Sequence, residues 1–151
     1  MLQKKKEKTT TDLLSDIRSS SGIDDFLNRN EAELHAPTIA QHLKQMIAEK
    51  NLSIGALAEQ MGYSRDYLYK LLDNTRNMPT RNCLLCMAFT MKLSYAETVL
   101  LLKYAPVNPL YARSPADSII IYSLQHGLSL AETNEQLARH HLPLLGNKRA
   151  N

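Results

Sequence analysis

Apolar residues recur between positions 51 and 79 with the spacing of two short helices. Ser53 can cap the first helix, because its hydroxyl can accept a hydrogen bond from a free backbone N–H of the first turn. Gly62 can end this helix, since glycine enters the left-handed conformation without a Cβ penalty. Two helices this short cannot bury a core alone, so they need neighbours. The apolar positions of the first helix are Ile54, Leu57, Ala58 and Met61.

The second helix of the pair is predicted to have two different sides. Ser64 can cap its amino end. The pattern is that of an amphipathic helix with one side buried. Its apolar side comprises Leu68, Leu71 and Leu72, and its polar side comprises Arg65, Asp66, Tyr69 and Lys70.

Two further helices are predicted next to this pair. Pro37 and Thr38 begin the first, which runs through Lys50. Thr80 can cap the second, from Arg81 to Met91. Their apolar positions are Ile39, Leu43, Met46 and Ile47 in the first helix and Leu84, Leu85, Met87, Ala88 and Met91 in the second.

The amino-terminal part of the chain divides into a tail and a helical segment. Residues 1–9 are charged and lack apolar anchors, so they are predicted to be disordered. Residues 10–35 are predicted to form two short amphipathic pieces. Thr11 or Asp12 can cap the first piece, and the second runs from Ile23 to Leu34. We expect these pieces to pack on the main domain or on a second copy of the chain.

A six-residue pattern occurs twice in the carboxy-terminal half, as LSYAET at 93–98 and LSLAET at 128–133. In both copies a Ser is followed three residues later by Glu, which is the spacing of a capping box. An apolar helix precedes each copy. The chain therefore holds two similar helical hairpins in tandem, or it uses the same capping chemistry twice; the sequence leaves both open.

The helix before the second copy carries three adjacent isoleucines at positions 119 to 121. Such a run also suits a strand, but no partner strand is predicted, so a helix is favoured. Three adjacent side chains point in three directions on a helix, so this helix should be buried on most sides. Either a dimer interface or residues 10–35 would bury it. Pro115 ends a proline-rich connector and suits the first turn of the helix.

The composition is that of a globular protein. The 151 residues are 44% hydrophobic, and the net charge of +3 is compatible with nucleic acid without demanding it. No run of 18 apolar residues exists, so no membrane span is predicted. The lysines at positions 4 to 6 are not followed by the apolar region of a signal peptide, which predicts a cytoplasmic protein.

The sequence shows no pattern typical of a catalytic or metal site. Cys83 and Cys86 have C-x-x-C spacing, but a zinc site needs two more ligands and a redox motif needs a βαβ setting. Both lie in a predicted apolar helix, where free cysteine packs as a small hydrophobe. There is no recognisable nucleophile–base pairing and no phosphate-binding glycine loop. Neither an enzyme nor a cofactor is therefore predicted.

Residues 38–91 resemble the helix-turn-helix of the Xre/Cro-type DNA-binding family. The family has Glu and Gly where this chain has Leu72 and Asn74. It has Gln near the start of the first helix, where this chain has Ile54-Gly55. The resemblance rests on the combination of Ser53, Leu57-Ala58, Gly62-Tyr63-Ser64, Leu68 and Pro79.

This resemblance implies an all-α fold with a lambda-repressor-like, Xre-type five-helix domain over residues 36–105. The helical segment at 10–35 would flank that domain. A C-terminal helical hairpin would follow at 106–146, and residues 147–151 would fray. The connector and hairpin resemble, more loosely, a C-terminal extension found on some Firmicutes-type Xre regulators, which brings no established biochemical role.

In the family, the second helix of the pair enters the major groove of double-stranded DNA. The resemblance therefore implies a sequence-specific transcriptional regulator that acts as a homodimer through its C-terminal or N-terminal helices. Arg65 would donate to guanine, and Arg76 in the next loop would contact the DNA backbone. Asp66 would accept from cytosine or weaken binding. The candidate DNA-binding residues are Ser64, Arg65, Asp66, Tyr67, Tyr69, Lys70 and Arg76.

A protein-interaction module is the alternative function. The low net charge and the absence of the family Gln and Glu favour it. Tyr63, Tyr67 and Tyr69 would supply the aromatic anchors that protein interfaces favour.

Overall fold

The computed structural model describes residues 8–34, 38–73 and 78–146. These ranges contain nine α-helices, one short 3-10 helix and no strand, which confirms the all-α class. None of the helices in the described ranges is long and apolar enough to cross a membrane. The packing of Cα atoms divides the chain between residues 36 and 37 into two compact units.

The first unit contains α1 (Thr10–Ser19), α2 (Ile23–Arg29) and the 3-10 turn Glu31–Glu33. The predicted cap of α1 at Thr11 or Asp12 is wrong. The cap is Thr9, because its hydroxyl accepts from Asp12 N at 3.1 Å while the Asp12 carboxylate accepts from Thr9 N at 3.0 Å. This reciprocal pair places the start of the helix earlier.

The second helix of this unit is shorter than predicted. It ends at Arg29 rather than near Leu34. Both the backbone N–H and the side-chain amide of Asn30 donate to the carbonyl oxygen of Phe26, at 3.1 and 3.0 Å. An asparagine that satisfies the last carbonyls in this way stops the helix. Phe26 and Asn30 are the buried side chains among residues 8–34.

The second unit, described over 38–73 and 78–146, contains seven helices. Five of them fall in the range expected for a five-helix domain, and two form a C-terminal hairpin. They are α3 (Ile39–Glu49), α4 (Ile54–Met61), α5 (Arg65–Leu72), α6 (Arg81–Thr90), α7 (Tyr95–Lys103), α8 (Pro115–Gln125) and α9 (Leu130–Arg139). The predicted caps at Ser53, Ser64, Thr80, Ser94 and Ser129 all accept a first-turn N–H. Thr38, which was predicted to begin its helix, instead caps α3 in the same way.

Helix α6 lies at the centre of this unit. It packs against α4, α7 and α9. Every side chain from Cys83 to Phe89 is buried, so the helix is apolar all round rather than amphipathic. A helix of this kind needs neighbours on every side, which is why the short helices around it can form a stable core.

The same turn joins consecutive helices at four places in the second unit. Each turn has a residue with positive φ, then an apolar residue whose N–H donates to the carbonyl five residues earlier, then the capping Ser of the next helix. Both six-residue patterns therefore begin with the same capping turn, while a tandem duplication stays a prediction. The turns are Asn51-Leu52-Ser53, Gly62-Tyr63-Ser64, Lys92-Leu93-Ser94 and Gly127-Leu128-Ser129.

The C-terminal hairpin of α8 and α9 is fastened to α6 by Arg81. The Arg81 guanidinium donates to the carbonyl oxygens of Asn108 and Pro109, and its Nη2 lies 2.7 Å from Asp117 Oδ2. The same carboxylate oxygen accepts from Tyr111 N at 2.9 Å. Asp117 is almost fully buried, so this ion pair ties the connector and α8 to the start of α6.

The isoleucine-rich segment is helical, as predicted, but its burial is uneven. Ile120 is buried in the core, while Ile119 and Ile121 are half-buried. Tyr122 is 55% exposed. One face of α8 therefore remains open in the single chain.

Candidate nucleic-acid interface

The turn between α4 and α5 has the predicted local geometry. Ser53 Oγ accepts from Ala56 N at 3.3 Å, and Ser64 Oγ accepts from Tyr67 N at 3.1 Å. Gly62 has φ 75°, the left-handed conformation that ends α4. These caps set the direction in which α5 leaves the turn.

Helix α5 buries one side and exposes the other. Its apolar side chains Leu68, Leu71 and Leu72 are each no more than 3% exposed, so the core fixes its rotation about its own axis. The exposed side therefore carries the candidate binding residues at fixed positions on a rigid element. These exposed residues are Arg65, Asp66, Tyr69 and Lys70, with the capping Ser64 at the amino end.

Arg65 lies across the amino-terminal turn of α4 instead of extending freely from α5. Its guanidinium rests on Gly55: a Cβ built on that glycine would lie 3.0 Å from Arg65 Cζ. Arg65 as a whole residue remains exposed. Its donors are therefore still available to an acceptor on a ligand.

Asp66 and Lys70 form an ion pair along α5. The Lys70 Nζ lies 3.0 Å from Asp66 Oδ2, at the i, i+4 spacing of a helix. Both side chains are more than half exposed, so the pair is weak and solvent-screened. It nevertheless offsets one of the two positive charges on the exposed side of α5.

Tyr67 does not share the open surface of α5 with Tyr69. Its ring lies 5.1 Å from that of Tyr63, and both rings are half-buried against the core. Burial raises the pKa of Tyr63 well above its usual range. Only Tyr69, 50% exposed, is an open aromatic side chain among these three tyrosines.

The two cysteines lie in the core, as predicted. Both are free thiols with no exposed surface. Burial raises the pKa of Cys86 to about 12, and burial likewise raises the pKa of Cys83. No cluster of three or more potential metal ligands occurs in the described ranges.

The remaining candidate, Arg76, lies outside the described residues. Sequence reasoning did not select two residues with a structural role: Gly55 lies under Arg65, and Arg81 ties the start of α6 to the connector and α8. A glycine inside a predicted helix is a signal of close approach. No local pattern marks Arg81, whose partner lies 36 residues away.

A cleft of about 720 Å³ lies on another part of the second unit. It is lined by residues of both copies of the six-residue pattern, together with Phe89, Lys92 and Leu124.

Comparisons with protein-family models, with curated proteins and with solved structures found no match for this chain.

Proposed function

We propose that this protein is a sequence-specific, double-stranded-DNA-binding transcriptional regulator of the cytoplasm, with α5 as its recognition helix. One observation carries the proposal. The core holds the apolar side of α5 in place, while its exposed side presents Arg65, Asp66, Tyr69 and Lys70. A short polar helix that is held rigidly after a tight turn is the element that helix-turn-helix proteins place in the major groove.

Each candidate residue has a proposed role. Arg65 donates to a guanine edge, and Tyr69 and Lys70 reach a base or a phosphate one turn further on. Ser64 donates to phosphate, as does Arg76, which follows α5 in the sequence. Tyr67 was expected to do the same, but its ring is half-buried beside Tyr63, so it supports the helix instead. Asp66 either accepts from cytosine or limits affinity through its negative charge.

We also propose that the protein binds as a homodimer, since one domain with so small a net charge binds DNA weakly. A two-fold dimer would place its recognition helices about 34 Å apart, one turn of DNA. The open face of α8 supports an interface there: Ile119 and Tyr122 line a groove of about 500 Å³ with Leu128 of the next turn. The helices of residues 10–35 are the other candidate interface, because Leu14 and Ile17 of α1 are exposed.

The first test is a fluorescence-anisotropy titration of the purified protein against random duplex DNA, at about 50 mM and about 200 mM salt. We expect binding that weakens steeply with salt, because phosphate contacts release counterions. Light scattering on the same samples gives the mass and tests the dimer. Absence of binding at low salt would remove the proposed function.

Two arginine variants then separate the proposed roles on duplexes selected from a random pool. Arg65→Ala should lower discrimination between selected and random DNA by the equivalent of about 1–3 kcal/mol. Arg76→Ala should weaken binding to all sequences and reduce the salt slope. Arg113→Ala, at an exposed position in the connector, is the control. Equal effects of both variants on selected and random DNA would contradict the assigned roles.

A protein-interaction module is the second candidate function for the same surface. The observation that favours it is the Asp66–Lys70 ion pair, which lowers the positive charge that α5 offers to phosphate. Its aromatic anchor would be Tyr69 alone, because Tyr63 and Tyr67 are half-buried. A protein that binds no DNA at low salt but loses a protein partner on Tyr69→Ala would establish this alternative.

A further inference from the structure

Gly55 lies in the first turn of α4, directly against the side chain of Arg65 from α5. A Cβ built on Gly55 would lie 3.0 Å from both Cζ and Nε of Arg65, and 3.2 Å from its Nη2. These are the three nearest heavy atoms to that position outside its own helix turn, and all belong to one guanidinium. The guanidinium therefore occupies the space that any side chain at position 55 would need.

The backbone at position 55 does not itself require glycine. Gly55 is helical, and it is absent from the positive-φ glycines of the described chain, which are Gly62, Gly127 and Gly146. Glycine inside a helix is destabilising relative to alanine. The close approach of Arg65 is thus the feature of this structure that explains a glycine here.

We infer that Gly55 is a positioning residue for DNA recognition. Because Gly55 has no side chain, the Arg65 guanidinium can pack on its backbone, and this contact holds the guanidinium in one orientation above α4. This inference rests on the proposed function. An arginine side chain loses rotamer freedom when it binds, and a guanidinium that is already held in place loses less. Discrimination by Arg65 therefore depends on the residue at position 55, although Gly55 offers no side chain to the DNA.

The contact between Gly55 and Arg65 can be tested first in the free protein. We expect nuclear Overhauser effects between the Gly55 Hα atoms and the Arg65 Hδ atoms in the wild-type protein. In Gly55→Ala and Gly55→Gln the Arg65 Nε–Hε resonance should shift. The melting temperature should stay the same or rise, because both substitutions replace a helical glycine with a residue of higher helix propensity. Wild-type spectra without these Overhauser effects would overturn the inference whatever the protein binds.

The functional test uses duplexes that the wild-type protein selects from a random pool. An arginine that reads guanine contributes about 5- to 150-fold discrimination. Gly55→Gln should lower this discrimination several-fold. Gly55→Ala should lower it less, because an alanine methyl group displaces the guanidinium only slightly. The same substitutions in an Arg65→Ala background should change discrimination no further. Ala56→Gln adds the same side chain at the neighbouring exposed position and should leave discrimination unchanged.

The outcomes separate this inference from the proposed function. If the wild-type protein binds no duplex at low salt, the proposed function fails and the inference fails with it. If the wild-type protein discriminates and both Gly55 variants discriminate equally well, the inference alone is overturned. A loss that persists in the Arg65→Ala background would also overturn it, because Gly55 would then act independently of Arg65.

Discussion

His42 on α3 is a half-buried histidine whose ring stacks on Tyr104. The ring centroids are 4.2 Å apart, and Nε2 is buried with no hydrogen-bond partner among the residues that the structure describes. Burial lowers the pKa of His42, against a smaller opposite effect of Glu49. The folded protein therefore favours the neutral imidazole.

This arrangement predicts a loss of stability in weak acid. The unfolded state takes up a proton near pH 6.5, while the folded state resists it, so the free energy of unfolding should fall as the pH drops below about 6.5 and through the depressed folded pKa. His42→Phe keeps a ring against Tyr104 and should flatten that fall. Urea unfolding between about pH 5 and about pH 8 measures it.

His126→Phe is the matched control for this prediction. His126 also stacks on a tyrosine, Tyr122, with ring centroids 3.9 Å apart, but it is exposed. If His126→Phe flattens the fall of unfolding free energy in acid as much as His42→Phe does, the burial of His42 does not cause that fall.

At the scale of elements, α7 and α9 begin with the same pattern but with different hydrogen bonds. At α7 the capping box is complete, because Ser94 N donates to Glu97 Oε1 at 3.0 Å while Ser94 Oγ accepts from Glu97 N. At α9, Ser129 Oγ accepts from Glu132 N, and the return bond to the Glu132 side chain is missing. The capping box predicted at Ser129 and Glu132 is thus only half formed.

A matched pair of substitutions tests this difference. Glu97→Ala removes the return bond and the surface ion pair with Lys50 of the α3 carboxyl end, whose Nζ lies 3.3 Å from Glu97 Oε2. It should lower the free energy of unfolding by about 0.5–1 kcal/mol. Glu132→Ala should stay within about 0.5 kcal/mol of wild type. Equal losses of unfolding free energy in the two variants, measured by urea unfolding, would show that the return bond does not contribute to stability.

At the scale of the whole second unit, the Arg81–Asp117 pair holds the C-terminal hairpin to α6. Arg81→Ala would leave the buried Asp117 carboxylate with the Tyr111 N–H as its remaining described partner outside its own helix. We expect a loss of about 2–3 kcal/mol, because an uncompensated buried charge is costly. Arg113→Ala, exposed in the same connector, should change little.

Hydrogen exchange locates the effect of Arg81→Ala. Amide protection in α8 and α9 should fall more than in α3 to α5, because the lost contacts lie between α6, the connector and α8. A uniform fall, or a change in unfolding free energy within about 0.5 kcal/mol of the control, would show that the hairpin is held by its apolar contacts alone.

The sequence determined the local features of this protein. The helices of the second unit, their caps and the left-handed Gly62 follow from residues within a few positions of one another. A capping Ser needs only the N–H three residues later, and a left-handed turn needs only a residue that tolerates positive φ. The exposed and buried sides of α5 also follow from its spacing alone.

Only the tertiary structure decided how the candidate site is supported. Tyr67 and Tyr69 look alike in sequence, but packing against the core half-buries Tyr67 and leaves Tyr69 open. Arg65 rests on Gly55 because the turn brings α4 and α5 together, and Arg81 meets Asp117 across 36 positions. Such contacts depend on how whole helices pack. The spacing of residues within one helix does not fix that packing, because it relates only residues a few positions apart in the sequence.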